Sequence, residues 1–145
     1  MKINLKNFAL RALETAKQDL QRDKHLVPVA FIVTDGDVSD FNLDFEGAEQ
    51  KQSAYAELVE IAKRLGARAI VTINDANLKN PVRAATESQE CIYLTVSGPS
   101  LTTWSVCVPY KRFGNHIHFG DPSEALDDIL NLVPGWPTRT GASVS

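Results

Sequence analysis

His116, His118 and Asp121 have the side-chain types that metal chemistry needs. A strand turns alternate side chains to one face, so the imidazoles of His116 and His118 would stand side by side across Ile117. Imidazole nitrogen and carboxylate oxygen both bind zinc, and a catalytic zinc uses three protein ligands with one position left for water. The two histidines supply two ligands, and Asp121 or an acid from residues 35 to 49 would have to supply the third. Asp121 also has a purely local use. In Asp121-Pro122-Ser123-Glu124 it reads as a helix N-cap, with proline at the first helical position and glutamate at the third. Without a third ligand, the pair reads as two exposed histidines on an edge hairpin.

The run His116-Ile117-His118, followed by Ser123, partly resembles the JAMM metalloproteases. In that family His-x-His and a later Ser-x-x-Asp hold zinc beside a catalytic glutamate. The resemblance implies a zinc hydrolase with His116 and His118 as ligands. The sequence departs from the pattern at Leu126, which stands where the aspartate should be; Asp127 and Asp128 follow it. The pair also falls in the last expected strand, whereas the family places it earlier. A second segment, Gly47-Ala48-Glu49, opens a helix that follows a hairpin and precedes a strand. That order is similar to the zinc-dependent cytidine deaminases, which carry His-Ala-Glu or Cys-Ala-Glu there and Pro-Cys-x-x-Cys after the next strand. Here Gly47 occupies the ligand position, and Thr72-Ile73-Asn74-Asp75-Ala76-Asn77 contains no cysteine. Deaminase chemistry needs a metal-bound water, so this likeness is one of topology, and a fold does not carry an activity with it.

Charge clusters offer two further candidates. Between His25 and Gln50 the chain holds Asp35, Asp37, Asp40, Asp44, Glu46 and Glu49 and no lysine or arginine. Oxygen ligands at Asp35, Asp37 and Asp40 suit a divalent cation such as Mg²⁺ or Ca²⁺, but EF-hand spacing is absent. The plainer reading is a solvated strand face whose like charges discourage edge pairing. Lys79, Arg83, Lys111 and Arg112 would contact an anion if folding brought them together, and are otherwise solvated surface. No serine lies in Gly-x-Ser-x-Gly, and the glycines form neither a P-loop nor a GxGxxG. No cofactor is expected beyond a divalent metal at the histidines or the acids. Cys91 and Cys107 make no CxxC pair, and a bridge between them requires strands that set them opposite each other.

The elements that would position these groups follow from periodicity. Leu5, Phe8, Ala9, Ala12, Leu13, Ala16 and Leu20 form one helical stripe, with Arg11 among the residues off it. Leu26 to Thr34 reads as a strand buried on both faces, and Asp35-Gly36 as a two-residue hairpin turn. Val38 to Phe45 returns with Phe41, Leu43 and Phe45 on one face and Asp40, Asn42 and Asp44 on the other. A helix over Ala48–Leu65 buries Leu58, Ile61, Ala62 and Leu65 and is capped by Gly66. Ala69–Ile73 is a buried strand, placed parallel to an earlier one by a right-handed crossover. Residues 76 to 90 read as a long irregular connection. Strands Cys91–Ser97, Trp104–Tyr110 and His116–Phe119 follow, with Trp104, Val106, Val108 and Tyr110 on one face. Pro109 marks an edge or a bulge, and Gly114-Asn115 is a turn. A last helix starts at Asp121 and stops at Pro134-Gly135.

The order is therefore α-β-β-α-β-β-β-β-α: an α/β (α+β) domain over residues 1–136, with a mixed, twisted sheet of about six strands and a flexible tail over 137–145. With 145 residues, 43% hydrophobic and 23% charged, the chain can fold as one domain. The net charge of −3 argues against nucleic acid as a partner. No segment reads as a signal peptide or membrane span, which gives a cytoplasmic expectation with reduced thiols. Every candidate site has a local structural explanation, so the favoured function is a non-catalytic binding or assembly module. The edge hairpin, with Pro109, Trp104 and Tyr110, would be its surface for self-association or a protein partner. The other reading is a metal-dependent hydrolase or deaminase-like enzyme built on His116 and His118.

Overall fold

Apolar residues at helical spacing build the first helix, α1 (Leu5–Asp23), in which Leu5, Ala9, Leu13, Ala16 and Leu20 are all buried. The structure is a computed structural model, and it describes residues 4–43, 47–79, 88–99 and 101–126. Asn4 caps α1, its side-chain oxygen accepting from the Asn7 N–H at 3.0 Å. Lys24 ends it at φ 64°, with its N–H donating to the Leu20 carbonyl at 2.8 Å. The second helix, α2 (Gly47–Leu65), ends in a Schellman motif. Gly66 adopts φ 64° and donates to Lys63, while Ala67 donates to Ala62. Its buried stripe runs through Tyr55, Leu58, Val59 and Ala62; Ile61 is half-buried and Leu65 is exposed, so the stripe is rotated from the expected one.

The strands are β1 (Val29–Val33), β2 (Val38–Asn42), β3 (Ala69–Lys79), β4 (Ser88–Gly98), β5 (Leu101–Phe113), β6 (His116–Phe119) and β7 (Ser123–Leu126). They form one seven-stranded sheet in the order β2-β1-β3-β4-β5-β6, with β7 also paired to β5. The α+β class and the order of elements through β6 are as expected. Among the described residues the pairing is not mixed: each of the six strand pairs is antiparallel. β2 and β3 both oppose β1, so they run the same way on either side of it, and α2 connects them. The parallel relation expected across α2 thus exists between strands that are not neighbours.

Each face of the sheet has its own core. Val71, Ile73, Leu94, Val106, Val108 and Tyr110 pack with α1 on one face. Ala30, Ile32 and Ile70 pack with Tyr55, Leu58, Val59 and Ala62 of α2 on the other. Burying one such aliphatic side chain contributes roughly 1.5–3 kcal/mol. The turn Asp35-Gly36 closes β1 onto β2 as expected, with the Thr34 N–H donating to the Asp37 carbonyl at 2.9 Å.

Two expectations fail at element scale. Residues 76–79 and 88–90 are not irregular. They extend the β3–β4 ladder from Asp75↔Ile92 out to Lys79↔Ser88. The expected helix at Asp121 is also absent over its first turn, because Ser123–Leu126 is strand β7, paired with Trp104–Cys107 of β5. The rest of that helix, the domain end at 136 and the tail over 137–145 lie outside the described residues.

β6 and β7 lie end to end along one edge of β5. Between them Gly120, Asp121 and Pro122 face Val108 and Pro109, three residues against two, which is a β-bulge. This satisfies Pro109. Its carbonyl accepts from the Gly120 N–H at 2.7 Å, and in an extended strand the N and C=O of one residue point to the same edge. The missing proline N–H therefore falls at the bulge and not in the β4 ladder.

Candidate functional site

His116 and His118 stand on one face of β6, both exposed, with Ile117 buried between them. Asp121 lies exposed in the bulge. The rings do share a face. Among the described residues, however, no three His, Cys, Asp or Glu side chains come together to hold a metal. His118 instead rests edge-on to Phe113, 6.4 Å between ring centres.

Phe113 near the turn of the hairpin is exposed, but the two aromatic residues expected to form its apolar surface are not. Trp104 is 4% exposed and Tyr110 is 1% exposed, both in the α1 core. Trp104 donates its indole N–H to Glu124 of β7 at 3.1 Å. The outer edge of β6 is also occupied. Gln21 of α1 donates to the Ile117 carbonyl at 2.7 Å and accepts from the Ile117 N–H at 2.8 Å. Those two backbone groups are not offered to another strand.

The charge clusters are dispersed. Asp35 faces Arg68 at 3.5 Å, and Asp37 folds onto its own turn, accepting from the Val38 N–H at 2.9 Å. Lys111 and Arg112 are consecutive on β5, so they point to opposite faces. Arg112 is held by Glu90 at 3.0 Å and by the Lys24 carbonyl at 2.7 Å, with the Tyr110 ring beneath it. The Lys79 side chain and Arg83 lie outside the described residues.

Cys91 pairs in register with Pro109, and Cys107 with Tyr93, so the two cysteines are diagonal and not opposite. Diagonal Cα atoms are about 7–8 Å apart, beyond the roughly 4.4–6.8 Å of a disulfide. Both are free thiols. Burial first, then a hydrogen bond with Cys107, pushes the Cys91 thiol up to about 12. An unreactive thiol is the consequence. Around them the α2-side face of β3, β4 and β5 is polar and closed. Thr72 hydrogen-bonds Thr95, and the Tyr55 hydroxyl donates to Asn74 Oδ1 at 2.8 Å.

The remaining acid, Asp40, belongs to a different kind of place. β1 and β2 project beyond α1 at one end of the sheet, leaving a cleft of about 490 Å³ between the helix flank and the hairpin. Its floor is apolar: Phe8 and Ala12 from α1, Val29 and Phe31 from β1, and Leu26, all partly buried. Phe8 and Phe31 meet edge to face at 5.1 Å. Val27 is 45% exposed at the mouth.

Charged groups line the rim. Asp40 is directly opposite Phe31 in the β1–β2 register, so it stands on the same face. Arg11 lines the opposing helical wall, one turn beyond Phe8. Asp19 and Asp23 also line the cleft, but Arg22 takes both, at 3.0 Å and 2.9 Å. That guanidinium is the first cause holding the Asp23 carboxyl below its ordinary range. His25 Nδ1 lies 3.1 Å from the Asp23 carbonyl. Such a cleft, apolar in its body with a few polar groups at its rim, has the size and make-up of a small-molecule site.

Comparison of the chain with protein families, with curated proteins and with solved structures finds no match. Of the cleft residues, the sequence marked only Asp40 as a site candidate, as a divalent-cation ligand with Asp35 and Asp37 or else as solvated acidic surface. Phe8, Ala12 and Phe31 read as core, and Arg11 as the outer face of α1. The signal that could have found them is the continuous apolar run of β1 beside a polar face of β2. A strand apolar on both faces needs a cover on each, and Asp40 and Asn42 cannot be part of one.

Proposed function

We propose that this protein is a non-catalytic binding module that takes a small organic ligand in the cleft between α1 and the β1–β2 hairpin. One observation carries the reading: half-buried Phe8, Val29 and Phe31 form an apolar floor open to solvent, with charged side chains around the rim. Soluble proteins normally cover such surface, and where it stays open in a concave site it marks a place for a ligand. No chemistry converges there. Among the described residues the rim holds no cysteine, and its single histidine is turned to the Asp23 carbonyl.

The hydrolase or deaminase-like reading on His116 and His118 has only their shared face in its favour, and it lacks a third ligand among the described residues. Assembly through the edge hairpin is weakened by the burial of Trp104 and Tyr110 and by the Gln21 clasp on β6. No helix among the described residues is long and apolar enough to cross a membrane.

Indole, a small aromatic probe, tests the cleft when titrated at millimolar concentration and followed by two-dimensional NMR. Amide signals of Phe8, Ala12, Val29 and Phe31 and methyl signals of Ala12 and Val29 are expected to move together and saturate. The variant Ala12→Phe, which fills the cleft from the helix side, is expected to keep the fold and lose the shifts. Shifts elsewhere, or none at all, would sink the proposal.

A further inference from the structure

The charges on the two walls of the cleft say more than that something binds. Among the described residues five ionisable side chains line it: Arg11, Asp19, Asp23, His25 and Asp40. Asp19 and Asp23 are both paired with Arg22 on the same helix, a cluster that keeps one net negative charge. His25 is turned to the Asp23 carbonyl, and Arg11 on α1 and Asp40 on β2 remain as a cation and an anion on opposite walls. Neither has an ion-pair or side-chain hydrogen-bond partner among the described residues. They do not pair with each other, although both line the same cleft.

The floor between them is furnished for a hydrocarbon side chain. Phe31 lies beside Asp40 across the strand pair, and Phe8 lies one helical turn from Arg11. A guanidinium recognises a carboxylate through two parallel N–H donors. A carboxylate accepts readily from an ammonium group. A ligand bearing a single charge leaves one wall unmatched, and an uncharged ligand leaves both. A short molecule carrying both charges and an apolar side chain matches every feature of the cleft at once.

We propose that the ligand of this cleft is a zwitterionic α-amino acid with an apolar side chain, its carboxylate on Arg11, its ammonium on Asp40 and its side chain against Phe8 and Phe31. The inference rests on the reading of the cleft as a binding site, and its test separates the two.

The probes are L-phenylalanine and L-leucine, with phenylacetate and phenethylamine as phenylalanine lacking one charge each. Binding is measured by calorimetry, and the location by NMR shifts at Phe8, Ala12 and Phe31. At least one amino acid is expected to bind, with phenylalanine about tenfold or more tighter than either analogue, as for loss of one charge-assisted contact. Arg11→Gln should weaken phenylalanine and phenylacetate while sparing phenethylamine. Asp40→Asn should weaken phenylalanine and phenethylamine while sparing phenylacetate. Both positions are exposed, and circular dichroism checks that both variants fold. If the analogues bind in the cleft as tightly as phenylalanine, or if neither variant discriminates among them, the zwitterion proposal is overturned and the cleft stands. If indole binds there and neither amino acid does, the result is the same. If no probe moves Phe8, Ala12 or Phe31, both readings fall.

Discussion

Tyr110 joins packing to electrostatics in a single side chain. Its ring is buried in the α1 core, and its hydroxyl donates to Asp75 Oδ1 at 2.6 Å. Hydrogen bonds to charged groups contribute roughly 1.5–3 kcal/mol. Asp75 is exposed, so water can replace the phenol when it is removed. Tyr110→Phe is therefore expected to cost about 1.5 kcal/mol, the low end of that range. Urea unfolding at pH 7 checks this, with the midpoint falling and the slope unchanged. An unchanged midpoint would mean the hydrogen bond contributes nothing net. The same scale shows why the site was only partly legible. Residue type and strand spacing placed His116 and His118 on one face, and the structure keeps them there. Spacing cannot say what else reaches that face, and no third ligand does among the described residues. Arg11 was hidden for a related reason. Helical periodicity shows that it lies off the apolar stripe, but not that a hairpin stands across from it.

At the scale of elements, two glycines separate space from conformation. A Cβ at Gly98 would run into the Arg68 carbonyl oxygen. That carbonyl cannot retreat easily, because the Arg68 N–H donates to the Val33 carbonyl at 2.7 Å. Gly66 has open space around it and only a positive φ of 64°. Gly98→Ala is expected to destabilise by about 3 kcal/mol, the upper end for overpacking. Gly66→Ala should cost about 1 kcal/mol, the strain of a left-handed alanine. Thermal unfolding of the two variants side by side gives the order, and equal losses would refute the close approach at Gly98. Elements with strong internal periodicity, α1 above all, were legible from sequence. The stretch after Asp121 was not. Asp121-Pro122-Ser123-Glu124 carries genuine helix-start signals, yet the open edge of β5 at Trp104–Cys107 supplies a ladder that local preference does not anticipate. The same holds for residues 76–79 and 88–90, whose polarity suggested a loop. A long hairpin needs only backbone groups to keep pairing.

The whole molecule carries a pH dependence that no single element shows. Three acids with buried side chains are held in their protonated forms. Burial, then the hydrogen bond with Cys107, raises the Cys91 thiol from 9.0 to about 12. Burial raises the Tyr55 phenol against the opposing hydrogen bond to Asn74. Burial and the Asp75 carboxylate raise the Tyr110 phenol. All three have neutral protonated forms, so the unfolded chain loses these protons at lower pH than the folded one. Between the ordinary values of 9.0 and 10.0 and the raised ones, the folded state binds more protons, and stability falls as pH rises. Below about 9 the contribution is fully present. The melting temperature should therefore be level from pH 7 to 8.5 and drop steadily from pH 9 towards 11. Because Tyr110 sits in one core and Tyr55 in the other, the loss should appear as one cooperative transition and not as the melting of one face. Cys91→Ala removes one of the three protons, and its melting temperature should decline more gently over the same interval, whatever its starting value. A parent protein whose melting temperature stays flat to pH 11 would show that the thiol and both phenols ionise as easily folded as unfolded. The packing around all three side chains, on both faces of the sheet, would then have to admit water.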